Sequence, residues 1–238
     1  MNIEEMIIYE DNHIIVVVKP QNVPSQEDSS KDKDMLTMLK EFIKVRDNKP
    51  GNVYVGLVHR LDRPTGGVMV FAKTSKAASR LAEQMQEGLF EKNYVTVLDG
   101  IAKEKKGHLT HYLKKNEIDN IVSIVPSLTT GAKKAELDYT ILEEKEGLSL
   151  AIVHLLTGRS HQIRVQMNAI KCPVYGDQKY GNENAKNNLA LWAYNLQFDH
   201  PTTKEKMNFI VFPPEDEYPF NQFDIPRYLN LKQTPIEY

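Results

Sequence analysis

Residues 59–73 read HRLDRPTGGVMVFAK. An aspartate, then Arg-Pro, then Thr-Gly-Gly spells a turn, and VMVFAK after it spells a strand. The apolar run from Val53 to Val58 predicts a second strand leading into the turn. Asp62 therefore stands at the mouth of a core, with His59 and Arg60 within three residues of it. Two glycines in a row let a backbone or a ligand approach closely. A carboxylate held there can act as a nucleophile or a base, although the same letters also fit a plain surface turn.

Working outward, Met6–Tyr9 and Ile14–Lys19 read as a hairpin turned at Asp11-Asn12. The polar stretch from Pro20 to Asp34 is a loop. Asp34 caps a helix over 35–46 whose apolar residues Met35, Met38, Leu39 and Phe42 share one face. Thr74 caps a second helix over 75–87, closed by Gly88. Strands are expected near 92–98, 108–113, 119–125, 134–143, 148–156, 189–198 and 207–212, and a short helix runs from a Ser160 cap to about Lys171. The tail beyond Pro213 reads as loop and short helix. Successive strands without helices between them imply antiparallel pairing. The expected class is α+β, as one domain over 1–238 with its core near 12–214.

Composition narrows the classes. Hydrophobic residues make up 41% and charged residues 26%, which excludes a disordered tail or a fibrous repeat. The longest apolar runs, 14–18 and 189–194, fall short of the ~18 residues a membrane helix needs. The acidic start, MNIEEMIIYE, does not resemble a secretion signal. Cys172 is the sole cysteine, so no internal disulfide forms. A soluble, cytoplasmic, monomeric protein is expected. Net charge is −2, yet seven lysines lie between Lys103 and Lys134 and eight acidic residues between Met1 and Met35. The near-neutral total thus covers a basic middle.

The stretch LLTGRSHQIRVQM, 155–167, puts Arg159, His161 and Arg164 around a helix start, a natural anion site or an exposed basic turn. His161, Arg164 and Asn168 fall on one polar face, and Ile163, Met167 and Ile170 on an apolar one. Tyr94 lies in an alternating strand. GDQKYGN, 176–182, reads as a loop, with Asp177 a loop residue. No phosphate-binding glycine loop, dinucleotide fingerprint, zinc motif or GxSxG elbow occurs, so no cofactor and no metal are expected.

In order along the chain, four blocks resemble the RluA-type RNA pseudouridine synthases. They are HRLDRPTGGVMVFAK at 59–73, KNYVTVLDG at 92–100, TGRSHQIR at 157–164 followed by PVYGDQKYG at 173–181, and LALWAYNLQFDHPTT at 189–203. Gly66 stands where that family usually has serine. No S4-like RNA-binding module is recognised. The resemblance implies a mainly antiparallel mixed sheet with flanking helices and a central catalytic cleft. It also implies isomerisation of uridine to pseudouridine in transfer or ribosomal RNA, after the nucleotide is flipped into that cleft. Asp62, Tyr94 and Arg164 become the expected catalytic residues. His59, Arg60, Thr65, Arg159, His161 and Gln162 become the expected RNA contacts. A catalytically silent RNA-binding protein on the same fold is the alternative. A retaining glycosidase is disfavoured, because it needs a second carboxylate that no block plainly supplies. The 20–33 loop is expected to order on RNA binding.

Overall fold

The computed structural model describes residues 2–229. The end of the tail read above as loop and short helix, 230–238, lies outside the described residues. In chain order the elements are β1 (Ile7–Glu10), β2 (Ile14–Lys19), α1 (Met35–Arg46), β3 (Gly56–Leu57), β4 (Gly66–Ala72), α2 (Ser75–Glu87), β5 (Glu91–Asp99), β6 (Lys106–Asn116), β7 (Ile121–Ile124), β8 (Lys133–Lys145), β9 (Leu148–Leu155), α3 (Gln162–Ala169), β10 (Leu191–Asp199), β11 (Lys206–Ile210) and α4 (Ile225–Leu229).

All eleven strands join one sheet, in the order β1-β2-β4-β10-β5-β9-β8-β6-β7, with β3 added to β4 and β11 to β10. Every pairing is antiparallel except β4 with β10, which run parallel at Gly66–Trp192 and Gly67–Ala193. The α+β class with a mixed, mainly antiparallel sheet is thus observed. Alternation along each strand sends side chains to opposite faces. One face carries Val17, Phe71, Tyr94, Val153 and Leu191, packed by Leu39 and Ile43 of α1 and by Ile163 and Met167 of α3. The other face is covered by Leu81 of α2 and by Phe220, Phe223 and Ile225 near the C-terminal end.

Both predicted caps form. The Asp34 carboxylate accepts from Thr37 N–H at 3.0 Å, and the Thr74 hydroxyl accepts from Ala77 N–H at 3.1 Å. Gly88 ends α2 in the left-handed region at φ 74°. The α3 start differs from expectation. Its cap is His161, at φ 51°, without a side-chain capping bond, and not Ser160. The reason is local: Gln162 folds back, and its Oε1 accepts from Arg159 N–H at 2.9 Å and from Thr157 Oγ1 at 2.8 Å. The expected strand over 53–58 shrinks to Gly56–Leu57, the only residues of it that reach β4. The polar helix face also fails to reach solvent as a whole. Gln162 to Met167 are buried because α3 sits between the sheet and the loops that follow it.

Candidate active site

The turn at Asp62 is built as its letters suggest. Thr65 N–H donates to the Asp62 carbonyl at 2.9 Å, and β4 begins one residue later. His59 and Leu61 point inward and are buried, whereas Arg60 is exposed. Alternation then leaves the Asp62 side chain 28% exposed on the wall of a cleft of about 1320 Å³. Tyr94, Leu155, Ile163, Arg164 and Leu191 line the same cleft.

The three residues expected to be catalytic meet here. Arg164, on the first turn of α3, places Nη1 3.8 Å from Asp62 Oδ2. Its other side is locked: Nε and Nη2 donate to the two Asp177 carboxylate oxygens at 2.8 and 2.7 Å. The guanidinium also lies over the Tyr180 ring, 5.1 Å from its centroid. Arg164 is 6% and Asp177 1% exposed, so this is a buried, bidentate pair. Asp177 Oδ1 further accepts from the N–H groups of Lys179 and Tyr180. Tyr94 is buried on β5. Burial, with the Asp62 charge second, pushes its phenol well above the usual range, so it holds its proton at ordinary pH.

Asp177, read from sequence as a loop residue, is the partner that fixes Arg164. Its signal was a lone aspartate between glycines, close behind an arginine-bearing helix. Tyr180 belongs to the same assembly. Its hydroxyl accepts from Val122 N–H at 2.8 Å, which leaves its own proton for His161 Nδ1 at 2.6 Å. Burial pulls the His161 pKa down, in keeping with a neutral ring that accepts there.

Lys19 was also missed. It is fully buried, and its Nζ donates to the carbonyls of Pro20, Val23 and Arg63 at 2.8, 2.7 and 3.1 Å. Burial draws its pKa to about 7, against the pull of Asp62. Three acceptors match the three donors of an ammonium, so Lys19 ties the 20–25 loop to the Asp62 turn. Ser25 Oγ donates to the Leu61 carbonyl at 2.8 Å. Arg63 holds Ser30 and Asp32. These contacts link the 20–33 loop, which was expected to order on RNA binding, to the turn that carries Asp62.

The six expected RNA contacts divide. Arg60 and Arg159 are exposed and line the cleft. His59, Thr65, His161 and Gln162 line it too, but all are buried. His59 Nε2 accepts from Val70 N–H at 3.1 Å, its ring packs edge-on against Phe90, and burial depresses its pKa to about 3. Gln162 Nε2 donates to the Glu136 carbonyl at 3.0 Å. His59 Nε2, His161 Nδ1 and the Gln162 amide are thus occupied with the protein's own chain, whereas His59 Nδ1 and the Thr65 hydroxyl are buried without a partner. These side chains build the wall, and the two exposed arginines face the solvent.

Gly66, the departure from the resembling pattern, has a steric reason. A Cβ at this position would lie 2.1 Å from Cζ3 of Trp192 across the parallel β4–β10 seam. The indole fills the space that a serine side chain needs.

Among the described residues no helix is long and apolar enough to cross a membrane, and no three of the His, Cys, Asp or Glu side chains cluster as metal ligands. The family model for RNA pseudouridylate synthase matches residues 13–169. An uncharacterized RNA pseudouridine synthase of Aquifex aeolicus is 36% identical over 229 residues, 90% of this chain and 71% of that protein. An uncharacterized RNA pseudouridine synthase of Mycoplasma pneumoniae is 32% identical over 85% of this chain and 65% of its own length. Ribosomal large subunit pseudouridine synthase C of Vibrio vulnificus is 30% identical over 86% of this chain and 64% of its own length. The chain thus spans about two thirds of the length of these relatives. Among solved structures, human RNA pseudouridylate synthase domain containing 4 superposes with a TM-score of 0.75 at 21% identity, covering 89% of this chain and 90% of that one. Human RNA pseudouridylate synthase domain containing 1 gives 0.69 at 26%, over 87% and 83%. A match across more than half the sequence, on a fold shared with these structures, makes this chain a member of the RNA pseudouridylate synthase family.

Proposed function

We propose that this chain isomerises uridine to pseudouridine in RNA, with Asp62 as the nucleophile. The observation that carries the reading is the Asp62–Arg164 approach of 3.8 Å beside the buried Tyr94. In the reaction the bond from C1′ to N1 breaks, the uracil turns over, and C1′ bonds to C5. C5 gives up its proton and N1 gains one, so no outside reagent is consumed. A carboxylate must be ionised and aimed to start this sequence, and Arg164 offers it a fixed positive charge. Tyr94 offers a flat apolar ring for the displaced base. Its phenol keeps its proton, so stacking is its first task, and it can take the C5 proton only as a relay that passes its own proton on toward N1. The nucleotide must leave the helical stack to reach Asp62. Arg60 and Arg159 hold phosphates at the cleft without reading sequence.

The relatives named for the ribosomal large subunit favour large-subunit ribosomal RNA as substrate over transfer RNA. The test is pseudouridine mapping on unmodified transcripts of both RNAs, with the wild-type chain and Asp62→Asn. Formation on ribosomal RNA by the wild type, lost in the variant, is expected. Undiminished formation by Asp62→Asn would overturn the assignment of Asp62. Tight RNA binding without any product would leave a silent RNA-binding protein.

A further inference from the structure

Lys92 is the second residue of β5, two before Tyr94, and so projects from the same face of the sheet. The pairing of β5 with β9 stops at Asn93–His154. Beyond that point the neighbour is the turn over 157–159. There the Lys92 Nζ lies 3.2 Å from where a Cβ on Gly158 would stand, so the glycine leaves the ammonium room. Lys92 lines the cleft and is only partly exposed.

The other partly or fully buried cations around the cleft are satisfied. Arg164 has Asp177, Arg63 has Asp32, and Lys19 has three carbonyls. Of the cations nearer solvent, Lys115 pairs with Glu117, Lys179 donates to the Asn120 carbonyl, and Arg159 Nε donates to the Lys134 carbonyl. Arg60 and Lys186 are exposed to water. Among the described residues, Lys92 alone in the cleft wall is both partly buried and without a hydrogen-bond or ion-pair partner. Burial draws its pKa down, and no carboxylate opposes that pull. A cation stripped of water and given nothing in return is a standing cost, which an incoming anion removes.

We propose that Lys92 is an interior phosphate site, binding a backbone phosphate of the nucleotide that enters the cleft. The site rests on the reading of the chain as an RNA-modifying protein, and it deepens that reading by placing a phosphate beside Tyr94 and the Gly158 turn. Lys92 accounts for affinity; it takes no part in bond making.

The experiment uses the full chain, an unmodified transcript of large-subunit ribosomal RNA, and the variants Lys92→Met and Lys92→Arg. In binding titrations across a range of KCl, Lys92→Met is expected to weaken affinity roughly tenfold near 0.1 M salt. It should also reduce the slope of log affinity against log salt by about one. Lys92→Arg should keep the slope. Without RNA, Lys92→Met should melt no lower than wild type, because an unpaired, partly buried charge has been removed. Inorganic phosphate should compete for RNA with the wild type more strongly than with Lys92→Met. An unchanged slope and affinity in Lys92→Met would overturn the proposal. A lower melting temperature with an unchanged slope would do the same, marking Lys92 as structural. Product yield is read separately: RNA binding with the predicted slope but without pseudouridine would overturn the activity assigned above and support the phosphate site.

Discussion

Asp177 grips Arg164 by both carboxylate oxygens, at 2.7 and 2.8 Å, and thereby leaves Nη1 as the arm that faces Asp62 at 3.8 Å. The shorter contacts thus go to Asp177 and the longer one to Asp62. Removing one member of a buried ion pair costs about 3–5 kcal/mol, because the other charge stays behind unpaired. Asp177→Asn is therefore expected to lower the melting temperature and to slow pseudouridine formation at least tenfold. Arg164→Lys keeps the charge but loses the planar fork, and should slow the reaction while weakening RNA binding less. A rate for Asp177→Asn equal to wild type would refute the positioning role.

Two variants of Tyr94 separate the stacking and proton-transfer tasks proposed for it. Tyr94→Phe keeps the ring and loses the hydroxyl, so RNA affinity should stay within about twofold of wild type while turnover falls. Tyr94→Leu loses the ring as well, and base–aromatic stacking is worth about 1–3 kcal/mol. Affinity for the transcript should then drop at least fivefold. Equal turnover by Tyr94→Phe and wild type would reduce the residue to a stacking surface.

His59 ties stability to pH. Its folded pKa of about 3 lies far below the ordinary 6.5, so between these values the unfolded chain binds the extra proton. Stability therefore rises with pH across this window, is complete above about 6.5, and is lost as the pH falls. The slope due to this residue reaches about 1.4 kcal/mol per pH unit at its steepest. His59→Gln keeps an acceptor for Val70 N–H and cannot titrate. Denaturant midpoints measured from pH 7 to pH 4 should fall less steeply in the variant. Parallel curves for the two proteins would contradict the burial described for His59.

Gly66 and Trp192 should behave as a pair. Overpacking a filled core typically costs about 1–3 kcal/mol, and a Cβ at 2.1 Å from the indole belongs at the upper end. Gly66→Ser should destabilise strongly in the wild-type background. With Trp192→Leu the same change should cost much less, although Trp192→Leu is itself destabilising through its lost bond to the Val211 carbonyl. A double-mutant cycle in chemical denaturation reads the coupling. Additive costs would show that the indole is not what excludes serine.

Much of this was readable from the chain. Asp34 and Thr74 announced their helices because a cap is a contact across three residues. The Asp62 turn was legible for the same reason. The errors fall where burial, and not local spacing, decided. Ser160 looked like a cap, but Gln162 bonds back onto the Thr157–Arg159 turn and takes the serine's place. His161, Arg164 and Asn168 looked like one wet stripe, yet α3 is enclosed on several sides and only Asn168 of the three is exposed. Asp177 does lie in a loop, as read; what the reading left out is its bond to Arg164, which depends on the burial of α3 beside that loop. The resemblance named the residues that meet; it did not say which of them hold the others in place.

The place of β10 has a consequence for biosynthesis. It lies between β4 and β5, though more than ninety residues of chain separate it from the end of β5. Until Leu191–Asp199 has been made, the strand that follows Asp62 and the strand that carries Tyr94 have no common neighbour. Such distant pairings must await the chain and are slow to close. A ribosome-bound fragment that already contains Asp62, Tyr94, Arg164 and Asp177 therefore still lacks the strand that sets the first two side by side. The strands that follow Asp62 and carry Tyr94 are thus brought together only once β10 has left the ribosome.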